Sequence, residues 1–514
     1  MSLRPNRLAG QPGLLCCIAP RLIPSAVIVF GFVSAATLAS AKDQSKTETY
    51  DDGKPHFVYS VDSEGRKSGD FRELSPEGHI LVTATYHKDQ LNGPFKSLFP
   101  NGKPRIIAAY ASGKLSGKYL EYNDSGELAI SATYKTGELN GPRQLSAAEG
   151  AVTNELWKDG RLMSAVGAKH KQLHGWRRQW TADEIVTDEF WFGGKLLIPK
   201  GPLLIAQELA AIQKTPIETV GEFPKVSDKL AKTLRTPEFQ ALNEAGVRKL
   251  MEYRFLCDVP YKDMQLDRDY MAHAQAAAEI LLTVGHLTHT PDNSGWPEDD
   301  YKFAYKGTTS SNIYGGSGDA TAPGSVDGYM NDSDEGNIAV VGHRRWCINP
   351  AMLKTGFGVA TNFSAMWSFD SSRSNPVDHS AVAFPSRGFV PSTHFRSDYA
   401  WSLSPNPQKF REPDSSVKVT VTPVRFDPDK LIVERNAKAL EMEYFTISKE
   451  PVASSSCLVF RPRNVSVASW SAYVVNVSGL KSLTGQDVPV QYFVAFYDPA
   501  QIKPPARTTP ERER

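Results

Sequence analysis

Residues 110–122 read Tyr110-Ala-Ser-Gly113-Lys-Leu115-Ser-Gly117-Lys-Tyr119-Leu-Glu-Tyr122, and the same pattern recurs on both sides of them. Gly69, Gly93, Gly117 and Gly141 are spaced by 24 residues, as are Gly78, Gly102, Gly126 and Gly150. Leu91, Leu115 and Leu139 keep that step, and so do Tyr86, Tyr110 and Tyr134. Between these columns apolar and aromatic residues alternate, broken by turn sequences such as Asn92-Gly93-Pro94, Pro100-Asn101-Gly102 and Asp124-Ser125-Gly126. Alternation lets a strand bury one face, and glycine supplies the positive φ that tight hairpin turns demand. The unit is therefore a β-hairpin. Because a lone hairpin is marginal, the hairpins must stack into an array.

The repeat resembles the variant form of the membrane occupation and recognition nexus repeat over about residues 57–160, with a worn unit at Lys171-Gln-Leu173-His-Gly175-Trp176. That resemblance implies a scaffold or binding surface. The array is assigned to 50–198 and is expected to be a structural sheet, with Phe95, Tyr119 and Tyr122 as the aromatics available to stack on a carbohydrate or peptide.

Upstream, Arg4, Arg7 and Arg21 precede an apolar run from Leu22 to Leu38, then Ala39-Ser40-Ala41. This order predicts a signal peptide over 1–41 cut before Lys42, with an uncleaved anchor as the alternative. The expected location is secreted, or periplasmic and cell envelope, with no stable membrane span after cleavage. Cys16 and Cys17 leave with the peptide, and Cys257, Cys347 and Cys457 remain. They form no C-x-x-C pair, and either one disulfide or free buried thiols suit them.

A chain of 514 residues with 40% hydrophobic and 22% charged residues is globular, with room for about three domains. The net charge of +1 supplies no global field for nucleic acid. Residues 199–234 mix helical periodicity from Leu203 to Ile212 with four prolines and are assigned as a helix-containing connector.

Between 235 and 370 the pattern changes to helices, then a loop, then a strand, which predicts an α+β layer. Thr236-Pro237-Glu238 opens one helix with Thr as N-cap and Pro at the first helical position. A second runs from Asp269 to Val284 and stops at Gly285. Residues 293–323 are polar and rich in glycine and are expected to be a loop. A third helical pattern covers Ser325 to Asp332, Gly342-His343-Arg344-Arg345 follows, and Thr355–Ala360 reads as a strand.

Leu242-Asn243-Glu244, Ala272-His273-Ala274, His289, Ser311-Asn312-Ile313 and Gly342-His343-Arg344-Arg345, in that order, resemble the CAP superfamily, the cysteine-rich secretory, antigen 5 and pathogenesis-related proteins, in its bacterial branch. The resemblance implies an α-β-α sandwich with an open cavity lined by two histidines and two acidic residues. The histidines fall on His289 and His343. One acidic position is occupied by Ser311, and the other falls on Asp332. These four residues are the expected ligand-binding cleft. His289 and His343, with one carboxylate, are the expected ligands of a divalent metal such as zinc, or else they hydrogen-bond within a polar cleft. His273 reads as a satisfied core histidine, His286 as a surface one, and Asp332-Ser-Asp334-Glu335-Gly336-Asn337 as a solvated loop rather than a calcium site.

No H-E-x-x-H, G-x-S-x-G, P-loop or G-x-G-x-x-G sequence is present, so no catalytic residue is assigned. Residues 375–500 hold short alternating runs separated by turns and predict a β-sandwich; Ala383–Pro391 with Trp401-Ser-Leu403 resembles the immunoglobulin-like module that follows some bacterial CAP domains. The tail from 501 to 514 is expected to be disordered. Function is expected to be binding of a metal or small ligand in an exported protein whose other modules bind a surface, envelope or matrix. The alternatives are a divalent-metal-dependent hydrolase acting on peptide or another envelope polymer, with Asp332 as ligand or base, and an adhesive structural protein with a vestigial cleft.

Overall fold

A computed structural model describes residues 44–503 and 507, apart from 183, 317, 375–377, 431 and 436–437. The signal peptide expected over 1–41, with Cys16 and Cys17, lies outside the described residues. Among the described residues no helix is long and apolar enough to cross a membrane.

The chain from Gln44 to Ile198 forms one antiparallel sheet of 16 strands, in which the 14 strands of the main path follow one another in sequence order. The period of the repeat is the cross-strand register. Gly69, Gly93 and Gly117 lie opposite Tyr86, Tyr110 and Tyr134, so each repeat contributes one strand bearing the glycine and one bearing the tyrosine. Two further columns with the same step emerge from the pairing. Phe71, Phe95 and Tyr119 oppose Ala84, Ala108 and Ala132, whose small side chains leave room for the rings. Each of these rings packs edge-on against the tyrosine column at 5.4, 5.7 and 5.8 Å between centroids. Gly93 shows why the column is glycine: its φ is 134°, and a Cβ there would meet Thr85 Cβ at 3.0 Å. The sheet begins at Gln44, ahead of the expected 50, and continues past the end of the period because the strands Ala151–Lys158 to Lys195–Ile198 keep pairing without it.

Seven helices follow among the described residues: α1 (Pro202–Ile212), α2 (Asp228–Leu234), α3 (Pro237–Leu256), α4 (Arg268–Val284), α5 (Glu298–Thr309), α6 (Ala322–Asn331) and α7 (Gly342–Cys347). Asp188, wholly buried, joins the sheet to α1 by accepting from the Leu203 N–H at 2.8 Å while Arg178 holds its other oxygen at 2.8 Å. Thr236 caps α3 by accepting from the Phe239 N–H, and α4 stops at Gly285 with φ 77°.

A three-stranded antiparallel sheet, ordered Ser311–Gly315, Phe363–Trp367, Phe357–Ala360, lies between helices. Gly358 faces α4, where an added Cβ would strike the Ala274 backbone, while the neighbouring Phe357 ring faces Gly246 of α3. Likewise Phe363 and Ala365 cluster with Ala274, Ala277 and Leu281 of α4, whereas the Ser364 hydroxyl reaches Ser325 of α6 at 3.1 Å. Successive strand residues thus serve opposite helical layers.

The expected loop over 293–323 contains a helix and a strand, α5 and Ser311–Gly315. Glu298, Asp299 and Asp300 favour the N-terminal turn of α5, and Gly307 allows it to approach α4, since a Cβ there would stand 2.1 Å from the His273 carbonyl oxygen.

The C-terminal part consists of a four-stranded and a five-stranded sheet. Trp401 of the first is wholly buried against Tyr473 and Phe496 of the second, at 5.8 and 6.3 Å, so the inner faces share a core. This core is continuous with that of the helical region and with Phe190 and Ile198 at the end of the repeat sheet. Two arginines bind the seam. Arg344 donates to the carbonyls of Met330 and Asn331 on one side and of Ala400 on the other, and Arg345 to those of Glu450, Val452 and Ser455. The tail expected to be disordered from 501 has an ordered contact at Arg507, whose carbonyl accepts from the Leu162 N–H at 2.8 Å and whose guanidinium donates to the carbonyls of Thr181 and Ala182. Cys257, Cys347 and Cys457 are free and buried, so no disulfide joins them.

Candidate functional site

The four residues expected to line a cleft separate into a bonded pair, an anchored ring and a buried hydroxyl. Asp332 ends α6 in the left-handed region, at φ 43°, which an Asp tolerates, and its side chain is 1% exposed. One of its oxygens accepts from His343 Nδ1 at 2.8 Å and the other from the Arg344 N–H at 3.2 Å. His343 is the second residue of α7 and keeps 23% of its side chain exposed. Burial pushes the imidazole pKa down, but the hydrogen bond and charge of Asp332, with Asp334 beyond it, outweigh burial and hold it above the ordinary value.

Two further residues, Tyr329 and Asn312, fix this ring. Tyr329 stacks on it with centroids 5.7 Å apart and planes at 25°, and donates its hydroxyl to the Asn312 carbonyl at 3.0 Å. The Asn312 side-chain amide in turn donates to the His343 carbonyl at 2.9 Å. Asn312 stands inside Ser311-Asn312-Ile313, so its position was in view although its task was not.

His289 lies exposed on the connection between α4 and α5. Its Nδ1 meets the Thr308 carbonyl at 2.7 Å, and the Thr308 hydroxyl donates to the His289 carbonyl at 3.0 Å. A carbonyl only accepts, so Nδ1 carries the proton and Nε2 of the neutral ring presents a lone pair. The Asp332 carboxylate imposes the same tautomer on His343. Nε2 of both rings has no hydrogen-bond partner among the described residues. The segment from Thr308 to Asn312 therefore holds His289 at one end and the backbone of His343 at the other.

Ser311 does not line an open cleft. It is 2% exposed, on the strand paired with Phe363–Trp367, and its hydroxyl has no partner among the described residues. The expected metal set also fails to form. Both oxygens of Asp332 are engaged on the Nδ1 side of His343 and at the Arg344 N–H, and among the described residues no three His, Cys, Asp or Glu side chains converge to hold an ion. Two imidazole nitrogens fall short of the three protein ligands of a catalytic zinc site. Asp334 is occupied within its own loop by the Gly336 N–H and the Asn337 amide, which suits a solvated turn. His273 is 3% exposed, bonded through Nδ1 to the Phe303 carbonyl at 3.0 Å and stacked on the Phe303 ring; burial lowers its pKa. His286 is exposed.

No family model matches the chain, and no curated protein matches it either.

Proposed function

We propose that this is an exported, CAP-like binding protein that receives a small hydrogen-bonding ligand at His343 and His289. The observation that carries this reading is the shared anchoring of the two rings through Nδ1, at 2.8 Å to Asp332 and 2.7 Å to Thr308, which leaves each Nε2 for an external partner. Because Asp332 keeps His343 readily protonated, Nε2 there switches from acceptor to donor as the pH falls, and an anionic ligand gains from the change. Export rests on the basic, apolar and small-residue order of residues 1–41. The repeat sheet acts as a scaffold at the envelope or matrix rather than as a stacking platform, since Tyr119 is 5% exposed and the aromatic columns are spent on one another.

Native mass spectrometry of the full-length chain, beside a His289→Ala/His343→Ala double variant, tests the reading with zinc and with envelope peptide and glycan fragments. An adduct that is present in the parent and lost in the variant supports it. Identical adducts in both proteins overturn it. A second reading, hydrolysis with His343 as general base, is favoured by the Asp332–His343 pair alone, and requires turnover that disappears in His343→Ala.

A further inference from the structure

Helix α7 keeps two of its side chains partly open to solvent. Arg344, Arg345 and Cys347 are buried, whereas His343 and Trp346 are half-buried. Three residues apart on a helix, they share one face, with about 5–6 Å between their Cβ atoms. Beside them stands Phe369, which is 52% exposed and whose ring lies on that of Trp346 with centroids 4.6 Å apart and planes at 33°.

Phe369 is placed by the same segment that holds the histidines. The Ser310 carbonyl accepts from the N–H groups of Ser368 at 3.0 Å and Phe369 at 3.3 Å. Ser310 sits between Thr308, whose carbonyl holds the His289 ring, and Asn312, whose amide holds the His343 carbonyl. Residues 308–312 thus tie His289, Phe369 and His343 together, and Trp346 closes the circle from Phe369 back to the turn of α7 that carries His343.

This arrangement makes two demands of a ligand. An aromatic ring half open to water gains free energy when a flat apolar surface covers it. The imidazoles ask for a polar partner, since Nε2 of each has none among the described residues and exchanges a hydrogen bond readily with a hydroxyl. A purely apolar ligand leaves those nitrogens unpaired, and a small ion leaves the ring uncovered. A pyranose meets both demands, because its C–H groups form an apolar face and its hydroxyls project from the rim.

Resting on the histidine site proposed above, we infer that its ligand is a saccharide. One sugar unit stacks on Phe369 beside Trp346, and a hydroxyl of that unit or the next bonds to His343 Nε2. The aromatic pair sets the class of ligand, and the imidazoles orient it.

The test is titration of the full-length chain with chitotetraose, a β-linked oligomer of N-acetylglucosamine, by ligand-observed NMR, with the peptide tetra-alanine as the control. Chitotetraose is expected to bind saturably and more tightly than tetra-alanine. Phe369→Ala, an exposed substitution, is expected to weaken it by about tenfold, the scale of one aromatic contact, and to leave the thermal midpoint unchanged; Phe369→Trp is expected to keep it. The His289→Ala/His343→Ala double variant is expected to lose it. Absence of saturable chitotetraose binding overturns the inference, as does equal affinity in the parent and Phe369→Ala. Binding that is undiminished in the double histidine variant separates the aromatic pair from the site and overturns it too. A zinc or peptide adduct that depends on the histidines, found without chitotetraose binding, overturns the saccharide alone and leaves the histidine site standing.

Discussion

Asp332 holds two consecutive residues: one carboxylate oxygen accepts from Nδ1 of the His343 ring at 2.8 Å, and the other from the N–H of Arg344 at 3.2 Å. Ring orientation and the start of α7 therefore depend on one buried carboxylate. The same residue that lifts the imidazole pKa also prevents the ring from turning.

This pair sets a pH dependence with a definite sign. The folded pKa of His343 lies above its unfolded value of about 6.5, so the stability it contributes is full below that pH and is lost as the pH rises through the folded pKa. Proton NMR of the imidazole should give a midpoint above about 6.5 in the parent and a lower one in Asp332→Asn, where burial acts without the compensating charge. An unchanged midpoint in the variant would show that Asp332 does not control the ring.

Replacing Arg344 by Met should be among the most damaging changes in the chain. It strands the carbonyls of Met330, Asn331 and Ala400, and each acceptor left unpaired costs about 1–3 kcal/mol. Urea unfolding should show the loss, with the helical region and the C-terminal sheets melting in a single transition because they share one core. Two separated transitions would contradict that continuity.

In the repeat sheet, Gly93→Ala should destabilise more than Gly102→Ala. Both glycines have positive φ, but only at Gly93 would the new Cβ press on Thr85, at 3.0 Å; at Gly102 nothing lies within 4 Å. The strain alone is worth about 1 kcal/mol, and the contact at Gly93 adds to it. Thermal unfolding of the two variants side by side checks the order.

The three thiols should be silent in the native protein. Burial pushes Cys257 up to about 12 and raises Cys347 and Cys457 also, so little reactive thiolate exists at neutral pH. With the chain lacking residues 1–41, and with them Cys16 and Cys17, a chromogenic disulfide reagent should react only after denaturant is added. Rapid labelling of the folded chain would mean that one of the thiols is accessible.

What could be read from the sequence was what short-range rules govern. Columns of glycine and tyrosine announced the hairpins because strand register repeats with the chain, and Thr236-Pro237 and Gly285 marked helix ends because capping is local. The α5 helix was missed because Gly307 and Thr308 read as loop formers. Their real reasons are tertiary: close approach to the His273 carbonyl, and the tie to His289. The pairing of His343 with Asp332 was accessible only as two members of a motif, and the direction in which Asp332 points, behind the ring, decided that it does not complete a metal set. The role of Arg344 and Arg345 was hidden for a similar reason. Their acceptors lie up to 110 residues away in the sequence, where no local pattern reports them.

Because the strands from Gln44 to Ile198 pair in sequence order, the sheet behaves as a ruler graduated in hairpins. Neighbouring strands stand about 4.7–4.9 Å apart, so one 24-residue unit, being two strands, is a step of roughly 9–10 Å. Adding or deleting a unit near its N-terminal edge changes reach in that increment and leaves untouched the anchorage at Asp188, where the ruler is fixed to α1. Distance from the attachment point can therefore be retuned by tandem duplication alone, without a single change around His343.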